Sequence, residues 1–402
     1  MSQTATPAQK GHPKGLYVLF ATEMWERFNY YGMRAVLVLF MTKALLFDKV
    51  FASNLYGGYT GLIYLTPLIG GFIADRYWGN KRSIIAGGLL MAIGEFILFF
   101  CGSLYQTNES LSSLLFFSGL GFMIAGNGFF KPNISSLVGQ LYPKGDRRID
   151  PAYTIFYMGI NVGGALGPFV CGLVGDTGNP ADFKWAFLAG GVGMLLSVVT
   201  QLIFQKKYVV APDGSPLGLV PEDSPKSFSN PIFIGIGLAL LASLMIGMLY
   251  VDAKVFSFLT YLLIASALYI AFFVLSDKTL SKIEKERVGV IFIVSFFVIF
   301  FWSAFEQAGA SLTFFAEEQT QRQLGSFLVP TSFFQSLNSL FVVSFAPLFA
   351  WLWIKLGKRE PASPTKMAWG LLLLAIGYFW IATGVKDVSA NVKVSMMWLI
   401  GM

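Results

Sequence analysis

Residues 16–42 read LYVLFATEMWERFNYYGMRAVLVLFMT, an apolar stretch long enough to cross a bilayer that is interrupted by four ionisable side chains. The four are Glu23, Glu26, Arg27 and Arg34. A hydrocarbon core of about 30 Å needs about 20 apolar residues in a helix. Each charge at the centre of such a helix costs roughly 2.5–3.5 kcal/mol, even on a lenient insertion scale. The stretch therefore predicts a membrane helix with one polar face turned away from lipid.

Helical spacing places the polar side chains of this stretch on one side. At about 100° per residue, six of them fall within an arc of about 140°, and the opposite face is Val, Leu, Phe and Met. The six are Glu23, Glu26, Arg27, Tyr30, Tyr31 and Arg34. Glu23 and Arg27 are four residues apart and can pair within the helix, so a purely structural ion pair is one interpretation. We favour a hydrated pathway, because Arg34 has no acidic residue within helical reach.

The composition of the whole chain indicates an integral membrane protein. Of its 402 residues, 55% are apolar and 13% are charged, against roughly 25% charged in soluble domains. A soluble protein of this size could not cover its surface with so few charges. The residues before position 15 are polar and lack a signal-peptide pattern. We therefore expect an all-α membrane protein with a short N-terminal tail.

Twelve apolar segments are predicted to lie in the membrane. They cover residues 16–42, 54–74, 83–105, 111–139, 150–175, 184–205, 231–251, 255–276, 288–316, 331–356, 366–385 and 394–402. The last segment is too short to cross, so we expect the reading frame to continue beyond Met402. Segments 231–251 and 255–276 carry almost no polar residues, and we predict that they are accessory helices that face lipid.

The connections between these segments predict the domain organisation. Residues 205–230, rich in Pro, Asp, Ser and Lys, separate six segments from the rest, as two packed bundles would need. The predicted parts are a cytoplasmic tail (1–15), a six-helix bundle (16–208), a linker with two accessory helices (209–287) and a partial second bundle (288–402). Most of the 29 Lys and Arg residues lie on the side of the N-terminus, which is therefore predicted to be cytoplasmic. This topology explains the net charge of +7, and we expect no nucleic-acid partner.

Cysteine and histidine are too scarce for several kinds of site. Cys101 and Cys171 lie in apolar runs without metal-ligand spacing. The single histidine, His12, belongs to the N-terminal tail. We find no dinucleotide-binding or phosphate-loop pattern and no nucleophile–base pair. The sequence therefore predicts that the protein holds no metal or cofactor and is not an enzyme.

Further polar side chains interrupt the later segments. Lys131 precedes a proline within its helix, where the backbone ladder opens and carbonyl groups need new partners. Glu306 follows Trp302 in the ninth segment. Asn161 and Asn338 are amides in apolar surroundings, for which helix packing and ligand binding are both open. These residues extend the candidate pathway beyond the first helix.

Other conspicuous residues favour structural roles. Glu95 lies among Ile, Gly and Phe, and we favour helix packing for it. Gly163 and Gly167 offer a small face for close helix contact. Glu317 and Glu318 lie at a predicted helix end and are expected to form a solvated rim.

Residues 23–31, EMWERFNYY, resemble the ExxERFxYY motif of proton-dependent oligopeptide transporters, a branch of the major facilitator superfamily. Residues 156–163, FYMGINVG, resemble the second signature of that family. Residues 71–82 are similar to the superfamily's loop between helices two and three, and residues 129–133 and 305–307 match further family positions. The resemblance extends over the whole chain, and its first two motifs are highly specific.

The resemblance implies a major facilitator fold with two six-helix bundles and an extra two-helix insertion, the chain ending inside the last-but-two core helix. It implies proton-coupled symport of di- and tripeptides into the cell by alternating access, with the peptide bound at the midplane between the bundles. Protons are then the coupling ion, and no cofactor takes part. Short external connections indicate a bacterial inner membrane, and we expect a monomer. Transport of peptide-like drugs is left open.

The resemblance also implies roles for individual residues. Substrate binding is implied for Arg34, Lys131, Tyr30, Tyr31, Tyr64, Tyr157, Asn161, Trp302, Glu306 and Asn338. Proton coupling is implied for Glu23, Glu26, Arg27 and Glu306. The peptide's carboxylate would be drawn to Arg34 and Lys131, and a salt bridge between Arg34 and Glu306 would close the outer gate. The family's acidic partner of Lys131 would lie beyond Met402.

Other functions stay open at this point. A drug or sugar transporter of the same superfamily would not need the ExxER sequence, and competition by dipeptides would separate the two. A plant-type nitrate or hormone carrier shares the fold, but the intact ExxER sequence argues for peptides. A peptide sensor or receptor would bind its ligand without accumulating it in vesicles.

Overall fold

The computed structural model describes residues 11–225, 230–250, 254–389 and 392–402. Four stretches of the predicted parts lie outside the described residues. They are 1–10 in the tail, 226–229 in the linker, 251–253 at the end of the first accessory segment and its connection, and 390–391 in the last connection.

Helices form nearly all of the described chain. The long ones are α1 (Lys14–Lys43), α2 (Lys49–Ile73), α3 (Gly79–Leu104), α4 (Glu109–Gln140), α5 (Ile149–Gly175), α6 (Phe183–Tyr208), α7 (Pro231–Tyr250), α8 (Lys254–Ser276), α9 (Lys282–Phe305), α11 (Phe333–Leu356) and α12 (Ser363–Val385). Two short ones are α10 (Ser311–Glu318) and α13 (Met397–Ile400). Within the described residues, eight stretches are long and apolar enough to cross a membrane. The prediction of an all-α membrane protein is confirmed.

The strands are two residues long and lie in the C-terminal half. Strand β1 (Thr320–Gln321) pairs in parallel with β4 (Val394–Ser395). Strand β2 (Gln323–Leu324) pairs antiparallel with β3 (Phe327–Leu328). Residues 394–402 thus form a short strand followed by one helical turn, and the beginning of a further membrane helix in this segment stays a prediction.

The turn between α2 and α3 is helical, where the sequence predicted a gap between two segments. A π-helical turn, Ala74–Trp78, continues α2, and α3 begins at once at Gly79. Gly79 has a φ of +73°, a conformation that favours glycine. The linker packs on this turn, since the Lys81 amide donates to the Gly218 carbonyl oxygen at 2.9 Å. Hydropathy predicts a gap between the second and third segments because the residues of this turn are polar, but the backbone of the turn stays helical.

The predicted segment 288–316 lies within a single candidate membrane span, Lys282–Glu318, but the helix is interrupted inside it. Helix α9 ends at Phe305, a 3-10 turn follows over Glu306–Gly309, and α10 begins at Ser311. A Cβ atom at Gly309 would overlap the Tyr56 side chain, so the chain passes close to that ring here. Hydropathy detects no such break, because it averages over the whole apolar segment.

The described chain divides into two compact units. Unit 1 contains Met1–Val36 and Tyr59–Gly247, and unit 2 contains Leu37–Gly58 and Met248–Met402. In unit 1, α3 packs against α4 and α6, and α5 packs against α6. Unit 2 includes the hairpin 37–58, which joins the end of α1 to the start of α2.

Glycine permits a close contact between α1 and α5 in unit 1. A Cβ atom at Gly163 would overlap the Met24 carbonyl oxygen, and one at Gly167 would overlap the Phe28 carbonyl oxygen. Both glycines are buried. The predicted packing role of Gly163 and Gly167 is confirmed, and this contact positions the charged face of α1.

Replacing Gly163 by Val should destabilise the protein, because the side chain would push α5 away from α1. Overpacking of this kind costs about 1–3 kcal/mol. Thermal unfolding in detergent would report it as a lower Tm. The matched control is Gly61→Val, since a Cβ atom at Gly61 has no neighbour within 4 Å. Equal losses in the two variants would contradict the packing argument.

Acidic residues outside the ExxER motif divide between buried and solvated positions. Glu95 is fully buried and accepts a hydrogen bond from Asn29 Nδ2 at 2.7 Å, as expected of a packing residue. The Glu318 side chain is 44% exposed and pairs with Lys49 at 2.6 Å, which agrees with the predicted rim.

Glu317 differs, and the rim prediction is wrong for it. Its side chain is only 17% exposed, it pairs with Lys43, and its Oε2 atom accepts from Arg322 at 2.6 Å and from Thr331 at 2.5 Å. Three partners from separate parts of unit 2 bury this carboxylate, and sequence position alone does not show them.

The described end of the N-terminal tail lies on the α4–α5 loop. His12 Nδ1 and the Tyr142 hydroxyl are 2.8 Å apart, and Arg148 donates to the Gly11 carbonyl oxygen at 2.5 Å. Hydrogen bonds from Arg148 also lower the pKa of Asp146 to about 2. Tail and loop are therefore joined at the end of unit 1 that the charge distribution predicts to be cytoplasmic.

Candidate functional site

The ExxER residues form a compact ion cluster on α1. Arg27 Nε lies 2.8 Å from Glu23 Oε1 and 2.9 Å from Glu26 Oε2. The three side chains are almost fully buried, with exposures of 4% or less. The predicted pairing of Glu23 with Arg27 is confirmed. Two carboxylates around one guanidinium carry a net negative charge, and a buried charge of this kind needs further polar partners.

Helix α4 supplies those partners. Asn127 is fully buried, and its Nδ2 atom donates to Glu26 Oε1 at 3.3 Å. Lys131 lies four residues later, on the same face of the helix, and interacts electrostatically with Glu26. The candidate residues from the sequence included Lys131 but missed Asn127. The sequence did offer a signal for Asn127, because this residue lies one helical turn before Lys131, between two glycines in an apolar run.

Lys131 is half-buried and faces an aromatic ring. Its Nζ atom lies 4.3 Å from the centroid of the Tyr64 ring, a distance typical of a cation–π contact. Tyr64 is 45% exposed. Asn127 thus contacts the buried cluster, and Lys131, one turn along the same helix, contacts an accessible ring.

Arg34 lies about two helical turns beyond Arg27 and next to two aromatic rings. Its guanidinium carbon is 5.1 Å from the centroid of Tyr31 and 5.8 Å from that of Tyr30. The Tyr30 ring also lies 5.7 Å from the Arg27 guanidinium. Tyr30 is therefore the packed ring between two cations, and its 1% exposure indicates support of the site more than direct contact with a solute.

Helix α5 contributes two candidate residues to unit 1. Tyr157 is 53% exposed. Asn161 is buried, and its Nδ2 atom donates to the Tyr157 carbonyl oxygen one turn earlier at 2.9 Å. This hydrogen bond lies within α5, so the role of Asn161 in substrate binding stays a prediction.

The other candidate residues belong to unit 2. The Tyr56 hydroxyl donates to Glu306 Oε2 at 3.3 Å, in the turn that follows α9. Trp302 is 44% exposed, and Asn338 is also exposed. Sequence reasoning missed Tyr56, because nothing in its local sequence indicates a carboxylate partner 250 residues away.

The structure therefore assembles the candidate residues within each unit. Unit 1 holds Glu23, Glu26, Arg27, Tyr30, Tyr31, Arg34, Tyr64, Lys131, Tyr157 and Asn161, and unit 2 holds Trp302, Glu306 and Asn338. Because Arg34 and Glu306 belong to different units, their salt bridge stays a prediction. Among residues 11–225, 230–250, 254–389 and 392–402, no three His, Cys, Asp or Glu residues are grouped so that they could hold a metal ion.

A buried ion cluster with two further cations and exposed aromatic rings suits the recognition of a small charged solute. Comparison with known proteins agrees with this. The family model described as the POT family matches residues 81–402. The chain belongs to the POT family. It is a transporter with a fold of the major facilitator type, and not an enzyme.

Relatives of the transporter cover nearly all of its length. It is 36% identical over 401 residues to the "Uncharacterized transporter YclF" of Bacillus subtilis, covering 97% of this chain and 77% of that protein. It is 34% identical over 422 residues to the "Peptide transporter YePEPT" of Yersinia enterocolitica, covering 99% and 80%.

A solved structure supports the fold. The crystal structure of a POT family transporter in complex with a thioalcohol conjugated peptide is 31% identical to this chain. It superimposes with a TM-score of 0.79, over 97% of this chain and 80% of that one.

Proposed function

We propose that this transporter carries di- and tripeptides into the cell together with protons, by alternating access. The observation that carries the proposal is the buried Glu23–Glu26–Arg27 cluster, which accepts a hydrogen bond from Asn127 of a second helix, with Lys131 one turn farther along that helix. A purely structural ion pair would need neither Asn127 nor a lysine one turn away that lies over the accessible ring of Tyr64. The peptide-transporting relative and the peptide-bound solved structure support peptides as the substrate class.

The proposed binding site is built for a zwitterion. The carboxylate of the peptide would bind Arg34 and Lys131, and arginine can grip a carboxylate with two parallel hydrogen bonds. Tyr31, Tyr64 and Tyr157 would provide walls, because aromatic rings offer contact area without demanding one side-chain shape. Trp302, Glu306 and Asn338 would contribute from unit 2, and Tyr30 and Asn161 would support the site from within the packing.

Glu26 is proposed as the proton-coupling carboxylate, with Glu23 and Arg27 as its neighbours. Protonation of Glu26 would remove the negative charge that attracts Lys131, and so strengthen the attraction of Lys131 for a peptide carboxylate. By linkage, a bound peptide would favour protonation of Glu26 by the same factor. No cofactor is needed, because the proton is the coupling ion.

The wider organisation belongs to the same proposal. The two bundles would rock about a peptide at the midplane, with the Arg34–Glu306 salt bridge closing the outer side. The linker and two accessory helices over residues 209–287 would separate the bundles. We further propose a monomer in the bacterial inner membrane with its N-terminus in the cytoplasm, and peptide-like drugs as competing ligands.

Replacing Glu306 by Gln should abolish proton-driven uptake and spare peptide counterflow, because the gate would lose the charge that responds to protonation. The measurement is uptake of labelled dialanine by vesicles with and without an imposed proton gradient. Glu318→Gln is the matched control, since that side chain is largely exposed. Full gradient-driven uptake by Glu306→Gln would refute the gate assignment.

Transport itself is tested in vesicles that contain the purified protein. An inward proton gradient should accumulate labelled dialanine, and unlabelled dipeptides should compete. Binding without accumulation would instead favour a sensor or receptor. Uptake of another solute with no competition by dipeptides would favour a drug or sugar transporter.

A further inference from the structure

Accessory helix α7 packs along one line against the other helices of unit 1. A Cβ atom at Gly121 of α4 would overlap Ile246, so the two helices are in close contact there. Farther along, a buried apolar cluster joins α7 to the π-helical turn, α3 and α4. Its members are Trp78, Leu90, Ala125, Phe129, Leu238 and Ala242. Helix α7 is thus attached to the bundle by a specific interface.

An apolar groove of about 280 Å³ runs beside this line. Ile69 and Ile73 of α2 form one wall, and Gly237 and Leu244 of α7 form the other. The stacked rings of Trp78 and Phe129, with centroids 5.0 Å apart and planes 16° apart, form the floor. From Gly237 to Leu244 the helix rises about 10 Å, so the groove is long enough for a segment of a hydrocarbon chain.

We propose that an acyl chain of a membrane phospholipid occupies this groove and completes the α7 interface. The walls belong to helices that span the membrane, where hydrocarbon is the surrounding solvent and only apolar groups enter without cost. Gly237 lines the groove, and a Cβ atom there would have no neighbour within 4 Å, so a larger side chain has room at this position. The volume lies at the lower end of small-molecule sites, roughly 300–1,000 Å³, which suits one chain.

The polar end of the groove can receive the phosphate of the same lipid. Arg76 lies three residues after Ile73 and is exposed, and a guanidinium matches the geometry of a phosphate. Asp75 is exposed beside it, and Ser224 brings the acidic linker residues 222 and 223 near, by donating to the Tyr77 carbonyl oxygen at 3.0 Å. The charge at this end is mixed, so the proposal assigns the phosphate to Arg76 and does not require an anionic lipid.

The test of this proposal is to fill the groove with a larger side chain at position 237. Gly237→Leu, Gly235→Leu and the unaltered chain are purified, delipidated in detergent, and supplied with dioleoylphosphatidylglycerol. Gly235 is the matched control, because its Cβ also would meet nothing within 4 Å and it does not line the groove. Native mass spectrometry should show one phospholipid fewer per chain in Gly237→Leu than in Gly235→Leu.

Two further measurements make the outcome decisive. Gly237→Leu should unfold at a higher Tm than the unaltered chain without lipid, and its Tm should rise less when lipid is added. Arg76→Gln should weaken binding of the phospholipid and leave binding of oleyl alcohol, which has no phosphate, unchanged. Equal lipid counts in Gly237→Leu and Gly235→Leu would overturn the proposal. So would a change of oligomeric state in Gly237→Leu with lipid unchanged, which would assign the groove to a second copy of the chain.

Discussion

Replacement of Glu26 by Gln is expected to stop proton-driven accumulation of dialanine while peptide counterflow continues. Gln keeps the shape of Glu26 and the neighbours of its side chain, Arg27 and Asn127, but it cannot gain or lose the coupling proton. Coupling free energies of 1–3 kcal/mol correspond to roughly 5–150-fold, so accumulation should fall by about that factor, to the level reached without a gradient. The measurement is uptake by vesicles under an inward proton gradient, alongside counterflow without a gradient.

Glu95→Gln is the matched control for this prediction. Glu95 is also a fully buried glutamate in unit 1, and the hydrogen bond it accepts comes from Asn29, outside the ion cluster. Uptake driven by the gradient should survive in that variant. If Glu26→Gln accumulated dialanine as well as Glu95→Gln does, Glu26 would not be the coupling carboxylate.

Replacement of Lys131 by Gln should weaken dipeptide binding by roughly 10–100-fold. A hydrogen bond to a charged group contributes about 1.5–3 kcal/mol, and each 1.4 kcal/mol corresponds to about a factor of ten in Kd. The variant would also lose the cation that lies over the Tyr64 ring and acts on Glu26. Titration calorimetry with dialanine at fixed pH measures the change.

Two comparisons isolate the role of the Lys131 charge. Lys144→Gln, at an exposed position in the α4–α5 loop, should bind dialanine as the unaltered chain does. Dialanine amide, which has no carboxylate, should bind about equally to Lys131→Gln and to the unaltered chain. A similar loss for both ligands would mean that Lys131 supports the fold of the site and does not contact the carboxylate.

The sequence by itself determined the class of the protein and the core of the site. Lipid offers no hydrogen bonds to the backbone, so apolar segments that lie in the membrane are helices, and hydropathy locates them along the chain. The ExxER cluster was equally readable, because Glu23, Glu26 and Arg27 lie within one turn of one helix. Such short-range contacts follow from helix geometry alone.

Only the tertiary structure decided the contacts between distant parts of the chain. Asn127 reaches Glu26 across 101 residues, and Tyr56 reaches Glu306 across 250. The burial of Glu317 likewise depends on side chains from elsewhere in unit 2. Helix periodicity states which residues share a face, but it holds no information on which faces meet, because that depends on how all the helices pack together.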